Sequence, residues 1–270
     1  MNIKFDYSGK IALVSGAATG IGRKTALRLA EAGADVVVCD FNEVEGKKTA
    51  DECAAKGVRT GFYKVDVADN AMVADVAKKV LADFGHVDFL VSNAGVNAKE
   101  LGNPITNIPM KEMQRVFDIN AMGLINWVQG LYENFTTRKT GKIVSTSSIA
   151  AYLGSPKMPQ YSASKLAVLS FVKSLALELG PYNINVNAIA PGYVYTPIYH
   201  EAIRLKQYQP GQFDDCETSE DVMNKMARNS ALMRAQTDDD MANAIMILCA
   251  DETENITGQC LVVDSGRLLK

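Results

Sequence analysis

Short, apolar, β-branched runs alternate with helix-patterned stretches along the whole chain, and that alternation limits the folds open to it. The runs fall at 11–16 (IALVSG), 36–40 (VVVCD), 60–67 (TGFYKVDV), 88–95 (DFLVSNAG), 141–148 (GKIVSTSS), 183–192 (NINVNAIAPG) and 259–264 (QCLVVD). Between them lie segments with apolar residues at helical spacing: 20–32, a charged amphipathic stretch to about 56, and 71–84. Long helices are expected at about 110–136 and 160–179. Strands this apolar need cover on both faces, as in a parallel sheet clothed by helices. Strand–helix alternation then calls for right-handed crossovers. The expectation is an α/β fold: a doubly wound parallel sheet of about seven strands with helices on both faces. No linker or repeat interrupts the pattern, so residues 1–270 read as a single domain. One stretch is irregular, 193–235, polar and Gly/Pro-bearing, between the sixth and last strands. Open α/β sheets bind ligands at the carboxyl ends of their strands. An insertion there is expected to be a substrate lid.

The first strand runs into SGAATGIG, with glycines at 16, 20 and 22, and a helix follows at once. Gly16 suits a tight turn, Gly20 a close backbone approach to a pyrophosphate, and Gly22 close helix–strand packing. The helix start then offers free N–H groups and a positive dipole end to phosphates. The spacing is G-x3-G-x-G rather than the commoner G-x-G-x-x-G. The second strand ends in Asp40, 18 residues beyond Gly22, where an acid can accept from the adenosine ribose hydroxyls. A carboxylate there repels a 2′-phosphate, and neither Thr19 nor Phe41 supplies a cation. The expected cofactor is NAD rather than NADP.

A second feature stands apart from the packing pattern. In YSASKLAVLSF, Tyr161 and Lys165 lie four apart, so on a helix they share one face. A phenol titrates near 10 and is a poor acid or base at neutral pH. A neighbouring ammonium favours the phenolate and lowers that value. Whether the pair moves a proton or is ordinary amphipathic decoration depends on what chemistry the rest of the chain supplies.

The bulk numbers exclude several classes. Apolar residues make up 47% of the chain, charged residues 22%, and the formal net charge is -3, as in an ordinary globular protein with no nucleic-acid surface. The longest apolar runs are too short to span a bilayer, and no signal-peptide layout precedes the first strand, so a cytoplasmic protein is expected. The five cysteines are scattered and form no CxxC, which suits reduced thiols. With only His86 and His200, neither at ligand spacing, no metal site is expected.

Taken together, these residues resemble the short-chain dehydrogenase/reductase family over nearly the whole chain, and the resemblance implies a Rossmann-type sheet. The matching motifs are SGAATGIG, Asp66-Val67, SNAG (92–95), SSIAAYLG…YSASK and PGYVYTP (191–197). By that similarity Ser148, Tyr161 and Lys165 are the catalytic serine and the proton-transfer pair, and Asn120 is the fourth member. The resemblance assigns the cofactor to Gly16, Thr19, Gly20, Ile21, Gly22, Asp40, Asp66, Val67, Asn93, Ala94, Gly95, Tyr161, Lys165, Pro191, Gly192, Val194 and Thr196. Asp66 is implied at the adenine amino group, and Val194 and Thr196 at the nicotinamide carboxamide. Lys165 is implied on the nicotinamide ribose, and Asn120 in a helix kink that holds a relay water. Ser148, Tyr161 and Tyr193 are the implied substrate contacts.

The family pattern is broken in three places: Ser15 stands for a usual threonine, Ser92 for an asparagine, and Ser265 for a glycine. The implied reaction is NAD(H)-dependent interconversion of a secondary alcohol and a ketone, with a small polyol, diol or hydroxyketone as favoured substrate. Alternatives are a hydroxysteroid dehydrogenase, an NADP-dependent 3-ketoacyl reductase, or a catalytically idle NAD-binding protein. The broad apolar spread of 110–136 and 160–179 suggests an oligomer built on those helices, a homotetramer by resemblance.

Overall fold

The computed structural model describes residues 4–97, 99, 104–194, 213 and 216–270. Seven strands form one sheet: β1 (Ile11–Ser15), β2 (Asp35–Asp40), β3 (Thr60–Lys64), β4 (Phe89–Ser92), β5 (Gly141–Thr146), β6 (Ile184–Pro191) and β7 (Cys260–Val263). Their order is β3-β2-β1-β4-β5-β6-β7, and every neighbouring pair is parallel. The order reverses between β1 and β4, the switch point at which such sheets open a crevice. β3 ends at Lys64, opposite Asp40, three residues short of the run expected from sequence.

Helices α1 (Gly20–Glu31), α2 (Glu43–Ala54), α3 (Asn70–Phe84), α4 (Met110–Phe117), α5 (Gly123–Arg138), α6 (Pro159–Leu179), α7 (Ser219–Ala227) and α8 (Asp238–Cys249) connect the strands. Their starts follow local chemistry. Asn42 accepts from Glu45 N and Asp69 from Met72 N, while Pro159 opens α6 where its missing N–H has no cost. Thr218 with Asp221, and Thr237 with Asp240, form reciprocal capping boxes that start α7 and α8. α7 lies inside the 193–235 insertion. Most of the remainder of that insertion, with Thr196, falls outside the described residues.

The core has two layers. Trp127, Leu131, Phe135, Val168, Val172 and Leu179 cover one face of the sheet together with α3. Ala26, Leu29, Met241, Ile245 and Leu248 of α1 and α8 cover the other. Leu124, Trp127, Leu131 and Phe135 of α5, and Val168, Leu169, Val172, Leu175 and Leu179 of α6, are buried within the chain itself. These residues pack against the sheet and against each other. Of the residues that suggested an intersubunit face, Leu166 and Leu177 stay exposed. The expected single helix over 110–136 is also broken, by a π-helical turn at Asp118–Met122. Among the described residues no helix is long and apolar enough to cross a membrane.

Candidate active site

The carboxyl ends of the strands open into a cleft of about 650 Å³. Among the residues that sequence reading assigned to a site, Gly16, Thr19, Gly20, Ile21, Asp40, Asp66, Val67, Asn93, Ala94, Gly95, Ser148, Tyr161, Lys165, Pro191, Gly192 and Val194 line it. Gly22, Asn120 and Tyr193 stand behind its walls. The Tyr193 hydroxyl is held by Arg267, whose Nε donates to it at 3.3 Å.

The glycine turn is shaped by sterics. Gly16 (φ +65°) and Gly20 (φ +55°) occupy the left-handed region that a side chain disfavours. A Cβ on Gly22 would stand 2.1 Å from Gly16 O and 2.5 Å from Asn93 Nδ2, so only glycine lets α1 start this close to β1. Thr19 precedes α1 without a side-chain cap, and no acidic residue occupies the first turn. The leading N–H groups of α1 are thus free to meet an anion in the cleft.

Two braces fix this turn. Asp40 Oδ2 accepts from Ala18 N and Oδ1 from Asn42 N, both at 2.8 Å. Asn93 Nδ2 donates to Ser15 O (3.3 Å) and Gly16 O (3.1 Å), while Ser15 Oγ accepts from Asn93 N (3.1 Å) and Ala94 N (3.3 Å). The hydroxyl of Ser15 therefore joins β1 to the exit of β4. The Asn93 Oδ1 accepts from Thr146 Oγ1 at 3.1 Å, and the Thr146 carbonyl accepts from Lys165 Nζ at 2.8 Å. Through Thr146, which sequence reading missed, the lysine and the glycine turn share one hydrogen-bonded frame. Its only sequence signal is its position two residues before Ser148.

α6 carries Tyr161 and Lys165 on one face, as the spacing requires. Lys165 is 3% exposed, and its Nζ stands 5.8 Å from the centroid of the Tyr161 ring. Burial pushes the lysine down to about 8. Desolvation also raises the Tyr161 phenol above its ordinary 10, opposed by a hydrogen bond from Ser148. The expected lowering of the phenol by a charged lysine is thus not what this geometry produces. The ammonium is aimed at the Thr146 carbonyl, and loss of water dominates both groups. Ser148 sits at the start of a short 3₁₀ turn, and its Oγ also accepts from Ala150 N at 3.1 Å.

Asn120 lies in the π-helical turn, 4% exposed. Its Oδ1 accepts from Val96 N (2.7 Å), and its Nδ2 donates to Val96 O and Ser164 Oγ, each at 3.0 Å. Both amide hydrogens are therefore committed, and the residue ties the β4 exit to α6 beside Lys165. Gly95 completes that contact, since a Cβ there would meet Lys165 Nζ at 3.1 Å. Phe41, weighed beside Asp40 in the sequence, lines the cleft, and so do Lys99 and Arg115, which were not foreseen. Arg115 donates to Asn97 O at 3.0 Å and pairs with Glu112, whose Oε1 accepts from Lys99 N.

A dinucleotide fits these residues. An uncapped helix start faces the cleft, a carboxylate stands at the end of β2, and Val65, Val67 and Ile119 offer an apolar wall near Asp66. The sequence profile of the family described as enoyl-(acyl carrier protein) reductase matches residues 16–267. A 3-oxoacyl-(acyl-carrier-protein) reductase of Staphylococcus epidermidis is 32% identical over 258 residues, 95% of this chain and 98% of its own. An (S)-acetoin-forming diacetyl reductase of the same species is 32% identical over 262 residues, covering 95% and 98%. A solved NAD+-bound xylitol dehydrogenase superposes with a TM-score of 0.89 at 31% identity, covering 96% of this chain and 99% of its own. The chain belongs to the short-chain dehydrogenase/reductase family. It is an oxidoreductase of that family, whose members act on alcohols or ketones.

Proposed function

We propose that this chain is an NAD(H)-dependent enzyme that interconverts a secondary alcohol and a ketone, with a small polyol, diol or hydroxyketone as substrate. The observation that carries the reading is that Ser148, Tyr161 and the buried Lys165 face the same cleft as the glycine turn. When bound, NAD supplies hydride acceptance and NADH hydride donation. The remaining chemistry belongs to the chain. α1 and the Gly16–Gly20 turn hold the diphosphate, and Asp40 accepts from ribose hydroxyls with the lone pairs left by Ala18 and Asn42. Ser148 Oγ orients the substrate oxygen, and the Tyr161 hydroxyl exchanges a proton with it. Lys165 and Asn120 keep that hydroxyl in register. Asp40 supports NAD over NADP, and the diacetyl reductase and xylitol dehydrogenase relatives support a small hydroxylated substrate. A second reading, a 3-ketoacyl thioester reductase, is favoured by the acyl-carrier-protein relative and by Lys99 and Arg115 at the cleft.

The test is a reduction and oxidation screen with NAD(H) and NADP(H) across polyols, diols, hydroxyketones, hydroxysteroids and 3-ketoacyl thioesters. Tyr161→Phe is expected to lower turnover by roughly 10²- to 10⁴-fold while NADH binding survives. Wild-type rates in that variant overturn the mechanism, and turnover confined to thioesters with NADPH overturns the substrate and cofactor assignment.

A further inference from the structure

Two features with unfavourable local energetics sit together behind one wall of the cleft. Ser265 holds a φ of +55°, a left-handed conformation that costs a side-chain-bearing residue and costs glycine little. Gln236, 4% exposed, has an Oε1 with no hydrogen-bond partner among the described residues. The two are bonded to each other, Gln236 Nε2 donating to Ser265 Oγ at 2.6 Å. Strain of this kind persists where the surroundings demand it, and it concentrates at functional sites.

What the pair holds is the exit of β6. The Gln236 amide packs against Gly192, where a Cβ would come 2.5 Å from Oε1 and 2.8 Å from Asp264 Cα. Gln236 N donates to Tyr193 O at 3.0 Å, and Gln236 bridges Val194 in parallel register. Gly192 N donates to Val263 O at 3.0 Å, and the Ser265 carbonyl accepts from Leu232 N at 2.9 Å. Gly192 and Val194 line the cleft, whereas Gln236 and Ser265 do not. We propose that Gln236 and Ser265 form a latch that positions the Gly192–Val194 wall for nucleotide binding, and that the strained serine is retained for its hydroxyl rather than for stability. Both are positioning residues. The inference rests on the nucleotide reading of the cleft.

The experiment measures NADH dissociation constants by fluorescence titration, and melting temperatures, for wild type, Ser265→Gly and Ser265→Ala. Ser265→Gly relieves the left-handed strain and removes the hydroxyl. Its melting temperature should hold or rise while NADH binds about tenfold more weakly, equivalent to about 1.4 kcal/mol. Ser265→Ala removes the hydroxyl but keeps the strain, so it should lose a similar factor in affinity without the thermal gain. A Ser265→Gly protein that binds NADH within about twofold of wild type overturns the latch, whatever its melting temperature. Wild-type protein that fails to bind NADH overturns the nucleotide reading instead, so the two failures are distinct.

Discussion

Replacing Lys165 by methionine should alter how stability depends on pH, in a direction and amount set by the lysine's burial. In the folded chain burial holds this ammonium at about 8, against an ordinary 10.5. A depressed lysine binds its proton less tightly in the native state than in the unfolded chain. Between those two values the unfolded chain keeps the proton and the native chain has released it, so stability rises with pH. Below about 8 the full burden of the buried charge is present. From pH 7 to pH 9.5 the relief amounts to about 2 kcal/mol, with the full shift worth about 3 kcal/mol. Lys165→Met keeps the length of the side chain and removes the titrating group. Urea unfolding at fixed protein concentration, at pH 7, 8 and 9.5, gives the wild-type-minus-variant difference. Other groups, such as the buried Cys39 thiol and the Tyr7 phenol, cancel in that difference. It should move by about 2 kcal/mol in favour of the wild type as pH rises. A difference constant across the three pH values would refute the claim that burial dominates Lys165.

Gly22→Ala places a methyl 2.1 Å from Gly16 O with no route to relax, so the urea midpoint should drop by an amount equivalent to about 3 kcal/mol. A wild-type midpoint would mean that α1 can move off the turn. Asp40→Asn leaves one of the Ala18 and Asn42 N–H groups without an acceptor and removes the charge facing a 2′-phosphate. Stability should fall by about 1 kcal/mol. The ratio of NADPH to NADH affinity should rise by roughly tenfold or more. An unchanged ratio in paired titrations contradicts the role given to the carboxylate.

The sheet was legible in sequence because buried parallel strands must be continuously apolar, and VVVCD or INVNAIAP can serve little else. The glycine turn was legible because sterics leave few residues for Gly16 and Gly22. Boundaries set by pairing were less so: β3 was expected to reach 67 and stops at Lys64, where its register with β2 ends. α8 was not anticipated, although TDDD before it is a capping-box pattern, and TSED before α7 is another. The breadth of α5 and α6 raised the expectation of an oligomer, but hydrophobic periodicity counts apolar faces without telling which neighbour covers them. The charge relation within the Tyr161–Lys165 pair was not legible for a related reason. Spacing puts the two on one face, but it does not reveal that the ammonium turns to the Thr146 carbonyl or how much water each group loses.

Several irregular points of the backbone lie at or behind the cleft. The π-helical turn at 118–122 brings Asn120 into contact with Val96 and Ser164, which regular helix continued through that segment would redirect. The left-handed Gly16 and Gly20 expose the start of α1, and the left-handed Ser265 carries the hydroxyl that meets Gln236 behind Gly192. The π-helical turn and Ser265 depart from what local propensity prefers, and all of these points border the cleft or the layer behind it. A sequence selected only for stability would replace Ser265 by glycine and satisfy Gln236 Oε1. Both stand at the carboxyl edge of the sheet, where the proposed latch gives them a role.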